Sequence, residues 1–199
     1  MNTFRVALTF DTEHPDQPQC KPVFQDGILD TLANEDVRAT FFVQGRWATA
    51  YPDILRRIAK EHTIGNHSHF HADMRFLTNE GIINDITLAR NAIKEICAKD
   101  PWPLFRLPFG YGIDDPRVIG LLAQGEWRNV HWNVDPQDWS PTNEAGGIEQ
   151  RVVEQVLAKR DKSIVLLHSW PEPTPAALPK IIRRLRENGA SFVTMDTLL

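Results

Sequence analysis

Short apolar segments with strand character alternate with amphipathic helical segments along this chain, and this alternation constrains the fold more than any other feature. Runs rich in β-branched and aromatic residues predict strands, and apolar residues spaced by three and four predict helices. The predicted strands are residues 6–10, 38–43, 62–65, 104–107, 129–134, 164–167 and 191–194, and the predicted helices are residues 23–32, 51–59, 78–96, 115–122, 149–158 and 178–185. Such alternation produces parallel β/α units. The expected fold class is therefore α/β, and this number of units fits a (β/α)7-8 barrel better than an open sheet.

Length and composition narrow the possible classes of protein. A chain of 199 residues with 42% hydrophobic content can bury one sizeable core, so we expect a single domain that covers residues 1–199. The formal net charge is −4 without a block of like charge, which argues against nucleic-acid binding and against a membrane-surface helix. The first residues lack a signal-peptide pattern and no apolar run could span a bilayer, so we expect a cytoplasmic location. Cys20 and Cys97 fit no C-x-x-C or disulfide-framework spacing and are expected to be free thiols.

The segment Asn66–His71 places three imidazoles within five residues, directly after a predicted strand. His67 and His71 can converge on one ion from a helical turn or from a tight loop, and neutral imidazole suits zinc or a similar transition metal. The glutamate of a zinc-protease His-Glu-x-x-His motif is missing, because Ser68 stands in its place. Taken alone, the segment fits a metal-binding pair and a solvated histidine-rich loop equally well.

Ionisable or metal-binding side chains follow five of the predicted strands. In a β/α barrel the carboxyl ends of the strands lie at one rim, and functional residues collect there. The five strand ends are residues 11–14, 66–71, 106–110, 135–139 and 168–170. One shared site explains this pattern better than five independent coincidences, and it favours metal binding by His67 and His71.

The motif His67-Ser68-x-x-His71, together with the flanking segments at residues 39–45 and 64–68, resembles the polysaccharide deacetylases with a NodB homology domain, which form carbohydrate esterase family 4. The likeness covers nearly the whole chain. It implies a distorted, often incomplete β/α barrel and a hydrolase that removes N-acetyl groups from amino sugars through a metal-activated water. The implied cofactor is a divalent metal, with Zn²⁺ preferred and Ni²⁺ or Co²⁺ as alternatives.

Carried over position by position, the resemblance also implies a role for each matching residue. Asp11 is the general base, and Arg106 orients it; His67 and His71 bind the metal. The main-chain N–H of Phe109 helps to hold the oxyanion, and His168 is the general acid, which Asp135 pairs with and tunes. Trp139 and Leu166 line the groove and the acetyl-methyl pocket. These roles agree with elementary chemistry, since a carboxylate beside an activated water generates the nucleophile and a histidine protonates the leaving amine.

Two positions depart from the family pattern. The family usually has two adjacent aspartates at the first strand, but this chain has Thr12 in the second place, and a hydroxyl is a poor ligand. Strand side chains alternate between faces, so Glu13 should point the same way as Asp11. We expect Glu13 to be the third metal ligand, with His14 as the next candidate. The second departure is Phe109, where a tyrosine is more common; only the main-chain role is then retained.

Several residues near the motifs have ordinary structural explanations. Asp138 follows Pro136 in a segment typical of a turn, and His168 follows four apolar residues, as a core histidine would. A structural role is also expected for His62, His69 and His131, and a core position for Trp132 and Trp170.

The sequence therefore supports three hypotheses. The first is a metal-dependent amino-sugar N-deacetylase that acts on an oligosaccharide or glycan. The second keeps the metal centre but changes the substrate to a linear or cyclic amide or imide, because a chain of this length leaves little material for a long glycan groove. The third, motivated by Thr12, is a catalytically impaired sugar-binding protein.

Overall fold

A computed structural model describes residues 3–16 and 23–199. Within these residues strands and α-helices alternate along the chain. The strands are β1 (Phe4–Thr12), β2 (Thr40–Val43), β3 (Thr63–Asn66), β4 (Leu104–Phe105), β5 (Arg128–Asn129), β6 (Ser163–His168) and β7 (Ala190–Phe192). The α-helices are α1 (Gly27–Asn34), α2 (Gly45–Ala50), α3 (Pro52–Glu61), α4 (Asn79–Cys97), α5 (Pro116–Gln124), α6 (Ala145–Lys159), α7 (Pro173–Glu187) and α8 (Met195–Leu198).

The chain groups into two compact units. The first consists of Thr12–His14 and Phe41–His131. Its strands are neighbours in the order β5, β4, β3, β2, and the pairings of β3 with β4 and of β4 with β5 are parallel. Helix α4 starts with a hydrogen bond from the Gly81 N–H to the Thr78 hydroxyl. Ile82 and Ile86 of this helix join Met74, Phe105, Leu107, Val118 and Leu122 in one buried core.

The second unit consists of Met1–Asp11, Pro15–Thr40 and Trp132–Leu199. Strand β1 pairs in parallel with β6 from Val6 to Asp11 and with β7 at its beginning. The side chains of β1 and β6 are almost all buried, as expected for parallel strands covered on both faces. Helix α7 buries Leu178, Ile181, Ile182 and Leu185, which lie in the predicted helix at residues 178–185, and it packs against α1 and α6.

The predicted α/β alternation is confirmed, with differences at short elements. Helix α2 was not predicted because its six residues are too few for a helical stripe. The predicted strand at 129–134 is wrong in extent, since β5 ends at Asn129 and Val134 forms only an isolated bridge to Val165. A side chain accounts for the interruption: the amide of Asn133 accepts from the Ile164 N–H and donates to the Lys162 carbonyl, which displaces a regular ladder.

Three further expectations concern the whole chain. Among residues 3–16 and 23–199, no helix has the length and apolar character needed to cross a membrane. Cys97 is a free cysteine, whereas Cys20 lies outside the described residues. The expectation of a single domain stays a prediction.

Candidate metal centre

Three buried side chains of the first unit point at one another. Glu13 Oε2 lies 2.7 Å from His71 Nε2 and 3.1 Å from His67 Nε2, and the two Nε2 atoms are 3.2 Å apart. Ligand atoms bound at about 2.0–2.1 Å to a tetrahedral ion are roughly 3.3 Å from one another. The three atoms therefore lie at nearly the separation that one shared ion would impose, and this group meets the geometric condition for holding a metal.

The charges in this cluster call for a cation. Glu13 Oε2 is shielded from solvent and has no well-aligned hydrogen-bond donor within the described part of the chain. Burial alone would raise the pKa of the Glu13 carboxyl, but His71 and His67 outweigh it and hold that pKa well below its usual value. A buried carboxylate and two imidazole nitrogens are a donor set that suits a divalent transition metal.

The hydrogen bond of its second ring nitrogen determines the tautomer of His67. Nδ1 lies 3.0 Å from the main-chain carbonyl oxygen of Arg106, and because a carbonyl can only accept, Nδ1 must carry the hydrogen. In the neutral tautomer with its hydrogen on Nδ1, Nε2 carries the lone pair that a metal ligand needs. Arg106 is itself fully buried, donates from Nε to the Val130 carbonyl at 3.0 Å and stacks 4.0 Å over the Phe42 ring.

The loop that joins the two histidines is held in an unusual backbone conformation. Ser68 and His71 have φ values of 64° and 59°, in the left-handed region that costs non-glycine residues energy. The Ser68 N–H donates to Asn66 Oδ1 at 2.8 Å, and the His71 N–H donates to the Ser68 hydroxyl at 3.0 Å. These bonds compensate the backbone strain and bring the two imidazoles onto the same side of the loop.

A carboxylate from α4 completes the support of this loop. Asp85 is buried and accepts from the main-chain N–H of His69 at 2.6 Å and of Phe70 at 3.1 Å. Both N–H groups lie between the two histidine ligands. No role was predicted for Asp85, although its position between the apolar residues Ile82, Ile86 and Ala89 of α4 indicates a buried acid.

The structure distinguishes between the two candidates for the third ligand. Glu13 joins the cluster, as expected, whereas the His14 N–H donates to Gln44 Oε1 and its ring lies 5.7 Å from the Tyr51 ring. Thr12 is fully buried, its hydroxyl has no hydrogen-bond partner among residues 3–16 and 23–199, and its carbonyl accepts from the Gln44 N–H. Glu13 thus supplies the carboxylate that Thr12 lacks.

A second group of polar side chains lies in the other unit. Asp11 on β1 and His168 on β6 are register partners in the parallel pairing, so their side chains leave the sheet on the same face. His168 Nδ1 lies 2.8 Å from Asp138 Oδ1. Asp138 Oδ2 accepts from the His168 N–H and from the Thr174 hydroxyl, each at 2.8 Å. The ring is therefore fixed with Nδ1 toward the carboxylate and Nε2 on the opposite side of the imidazole.

This arrangement corrects one sequence prediction. Asp135 was expected to pair with His168 and Asp138 to form a turn, but the structure shows the reverse. Asp135 Oδ1 accepts from the Gln137 N–H at 2.8 Å, and the main chain of Asp135 pairs with the Gln155 amide. An aspartate before proline typically bonds the backbone two residues on, and the resulting turn directs Asp138 inward.

The remaining predicted residues divide between the units. Arg106 and Phe109 belong to the unit of the metal cluster; Phe109 has φ 57°, and its ring centroid is 4.5 Å from that of His71. Leu166 and Trp139 belong to the unit of His168, with Leu166 buried and Trp139 exposed. His62 is buried against Phe41, in agreement with a structural role.

Comparison with known proteins gives consistent matches. The family described as "Polysaccharide deacetylase" matches residues 1–127. A chitooligosaccharide deacetylase from Sinorhizobium fredii is 36% identical over 199 residues, which cover 92% of this chain and 86% of that protein. The solved structure of the Bc1960 peptidoglycan N-acetylglucosamine deacetylase matches with a TM-score of 0.83 and 32% sequence identity. The match covers 100% of this chain and 89% of the chain of that protein.

A third match shows that the fold alone does not determine whether a family member is active. A carbohydrate esterase family 4 pseudoenzyme from Bacillus anthracis has a TM-score of 0.84 at 26% identity, covering 99% of this chain and 66% of its own. The similar structures confirm the expected α/β fold class. Because an active enzyme and a pseudoenzyme share this fold, activity has to be argued from the side chains of the site.

Proposed function

Because this chain belongs to the polysaccharide deacetylase family, we propose that it removes the acetyl group from N-acetylglucosamine units of an oligosaccharide or glycan. The observation that carries the proposal is the convergence of Glu13 with His67 and His71. These residues supply three ligands even though Thr12 occupies the usual position of an acidic one. A protein that only binds sugar has no need for three buried metal ligands.

The proposed metal is Zn²⁺, with Co²⁺ and Ni²⁺ as alternatives that the same donors accept. Glu13, His67 and His71 would hold it, and Arg106 would keep His67 in the required tautomer through its carbonyl. When bound, such an ion lowers the pKa of a water to roughly 7 and polarises the carbonyl of the substrate. The burial of all three ligands limits competing contacts with bulk water.

The proton transfers are assigned to Asp11 and His168. Asp11 lies near the carboxyl end of β1, two residues before Glu13 in the sequence, so it is the carboxylate proposed to take the proton from the attacking water. His168 would give a proton from Nε2 to the leaving amine, because its Nδ1 is occupied by Asp138. The amide bond breaks, acetate takes up the oxygen of the water, and the sugar keeps a free amine.

Four further roles remain proposals from the family resemblance. Arg106 would orient Asp11, and the main-chain N–H of Phe109 would help to hold the oxyanion. Trp139 and Leu166 would line the groove and the acetyl-methyl pocket. The burial of Leu166 and the partial exposure of Trp139 are compatible with an apolar pocket wall and with an accessible groove wall, respectively.

The deciding experiment measures acetate release from N-acetylglucosamine oligomers and from a panel of small linear and cyclic amides. Zinc-loaded protein should deacetylate the oligomers, and Asp11→Asn and Glu13→Ala should each lose at least about 100-fold in kcat/KM. Asp30→Asn, a change at an exposed carboxylate on α1, serves as the matched control and should keep full activity. Activity confined to the small amides would replace the glycan proposal, and equal activity of the wild type and Asp11→Asn would remove Asp11 as the base.

A further inference from the structure

A series of exposed aromatic rings leads away from the metal cluster within the first unit. The Phe109 ring lies 4.5 Å from that of His71, and the Tyr111 ring lies 5.5 Å from that of Phe109. The Arg75 guanidinium covers Tyr111 at 4.4 Å and lies 5.8 Å from the Phe76 ring. We call Phe76, Phe109 and Tyr111 the aromatic strip. Their exposed fractions are 84%, 45% and 49%, an unusual concentration of ring surface in water.

A surface pocket of about 400 Å³ adjoins the strip. Tyr111, Arg75 and Ile113 contribute to its lining, together with Asp114 and Asp115, whose carboxylate also accepts from the first N–H groups of α5. Pockets that hold small ligands usually measure roughly 300–1,000 Å³, so this one is large enough for a sugar unit.

The strip and pocket are built before any ligand arrives. Asp73 holds the Arg75 guanidinium at 2.6 Å, which fixes the cation over Tyr111. Phe109, Gly110 and Gly112 all have positive φ, so the loop follows a defined turn. Such preorganisation lowers the entropy that binding would otherwise cost.

The composition of this surface selects one kind of ligand. The C–H face of a pyranose packs on aromatic rings, and its hydroxyls pair with guanidinium and carboxylate groups. A nucleic-acid backbone would be repelled by the charges of Asp114 and Asp115, and a purely apolar partner would remove the Arg75 and Asp114 charges from water at a cost in free energy. The surface therefore matches a neutral saccharide.

We propose that the aromatic strip and its pocket form a subsite for the sugar units that adjoin the acetylated unit at the metal cluster. The inference rests on the proposed function and extends it from the reacting sugar to chain length. Phe109 connects the two regions, since its ring contacts the ligand His71 on one side and Tyr111 on the other. The enzyme then prefers oligomers to a single sugar.

The test compares kcat/KM for N-acetylglucosamine oligomers of one to five units in zinc-loaded protein. The wild type should favour the tetramer over the dimer by at least tenfold. Phe76→Ala and Tyr111→Ala should each reduce this ratio about threefold to tenfold, which is the range expected for loss of one ring contact. Tyr111→Phe keeps the ring and should retain most of the ratio. Leu88→Ala removes an exposed apolar side chain of α4 outside the strip and should leave the ratio unchanged.

Two results would overturn the inference while the proposed function stands: a wild-type enzyme without length preference, or a ratio that both alanine variants preserve. If no oligomer is deacetylated, the proposed function has failed, and a binding measurement then tests the subsite by itself. In a titration with the tetramer, the NMR signals of the Tyr111 and Phe76 rings should still shift. Unperturbed rings would reject the subsite.

Discussion

Asp138 holds His168 from two directions, through the ring nitrogen Nδ1 at 2.8 Å and through the main-chain N–H at 2.8 Å. The Thr174 hydroxyl donates to the same carboxylate, which is almost completely buried. A carboxylate held in this way fixes the orientation and tautomer of the imidazole, as an aspartate does in a catalytic triad.

Asp138→Asn should therefore lower kcat by about 10²- to 10⁴-fold, because an amide in this place favours the wrong ring tautomer. Asp135→Asn is the matched control, since Asp135 serves a turn, and its kcat should change less than about threefold. Steady-state kinetics of acetate release, with circular dichroism to verify folding, measure both effects. A larger loss in Asp135→Asn than in Asp138→Asn would contradict the assignment of the pair.

Asp85 is expected to determine how well the loop between the histidines holds metal. In Asp85→Asn, the NH₂ group of the amide faces one of the two main-chain N–H groups that donate to the carboxylate in the wild type. That buried hydrogen bond is lost, at a cost of about 1–3 kcal/mol in the free energy of unfolding. Zinc affinity should fall about 10- to 100-fold, as it does when groups that orient metal ligands are removed. Competition with a chromogenic chelator measures the affinity, and urea unfolding measures the stability.

Asn84→Ala alters the neighbouring exposed position on α4; it should leave the zinc affinity unchanged and raise the stability by less than about 0.7 kcal/mol, because alanine has the higher helix propensity. If Asp85→Asn lost stability but bound zinc with wild-type affinity, the carboxylate would support the fold without positioning the ligands.

Local sequence patterns were sufficient for the parts of the structure that depend on local rules. The α/β alternation followed from apolar periodicity, and Glu13 followed from the two-residue period of a strand next to Thr12. The choice between Asp135 and Asp138 depended on how one turn directs its side chains, a property that only the folded loop fixes. Helix α2 was missed for a related reason: tertiary bonds hold its start, from Gly45 N–H to the Ser68 carbonyl and from Arg46 N–H to the His69 carbonyl.

Zinc binding should weaken as the solution becomes acidic, and the histidines should account for the change. Burial opposes ionisation of Glu13, but His71 and His67 hold its pKa well below 4.5, so the carboxylate stays ionised over this pH range. Because a metal binds the neutral form of an imidazole, protons compete with zinc for the two histidines, and the affinity should fall by up to about two logarithmic units per pH unit. Isothermal titration from pH 7 to pH 5 measures this slope.

Glu13→Gln should weaken zinc binding at every pH without changing the slope, because the carboxylate does not titrate in this range. In metal-free protein, a depressed carboxyl pKa stabilises the fold above about pH 4.5, and this stabilisation is lost as the pH falls through the lower folded-state pKa. A slope near three in the wild type that drops to two in Glu13→Gln would show that Glu13 titrates together with the histidines.

Two glycines should respond to alanine in opposite directions. A Cβ at Gly45 would collide with His69 Nδ1 and would lie 2.8 Å from the Ala89 Cα, whereas a Cβ at Gly120 inside α5 meets nothing within 4 Å. Gly45→Ala should thus destabilise the protein by about 1–3 kcal/mol through overpacking and displace the loop that carries the histidines. Gly120→Ala should stabilise it by about 0.5–1 kcal/mol, since alanine loses less backbone entropy in a helix. Thermal and urea unfolding measure the stability of both variants, and zinc titration measures their affinity. A Gly45→Ala variant with unchanged stability and zinc affinity would show that α2 can move away from the loop without disturbing the metal ligands.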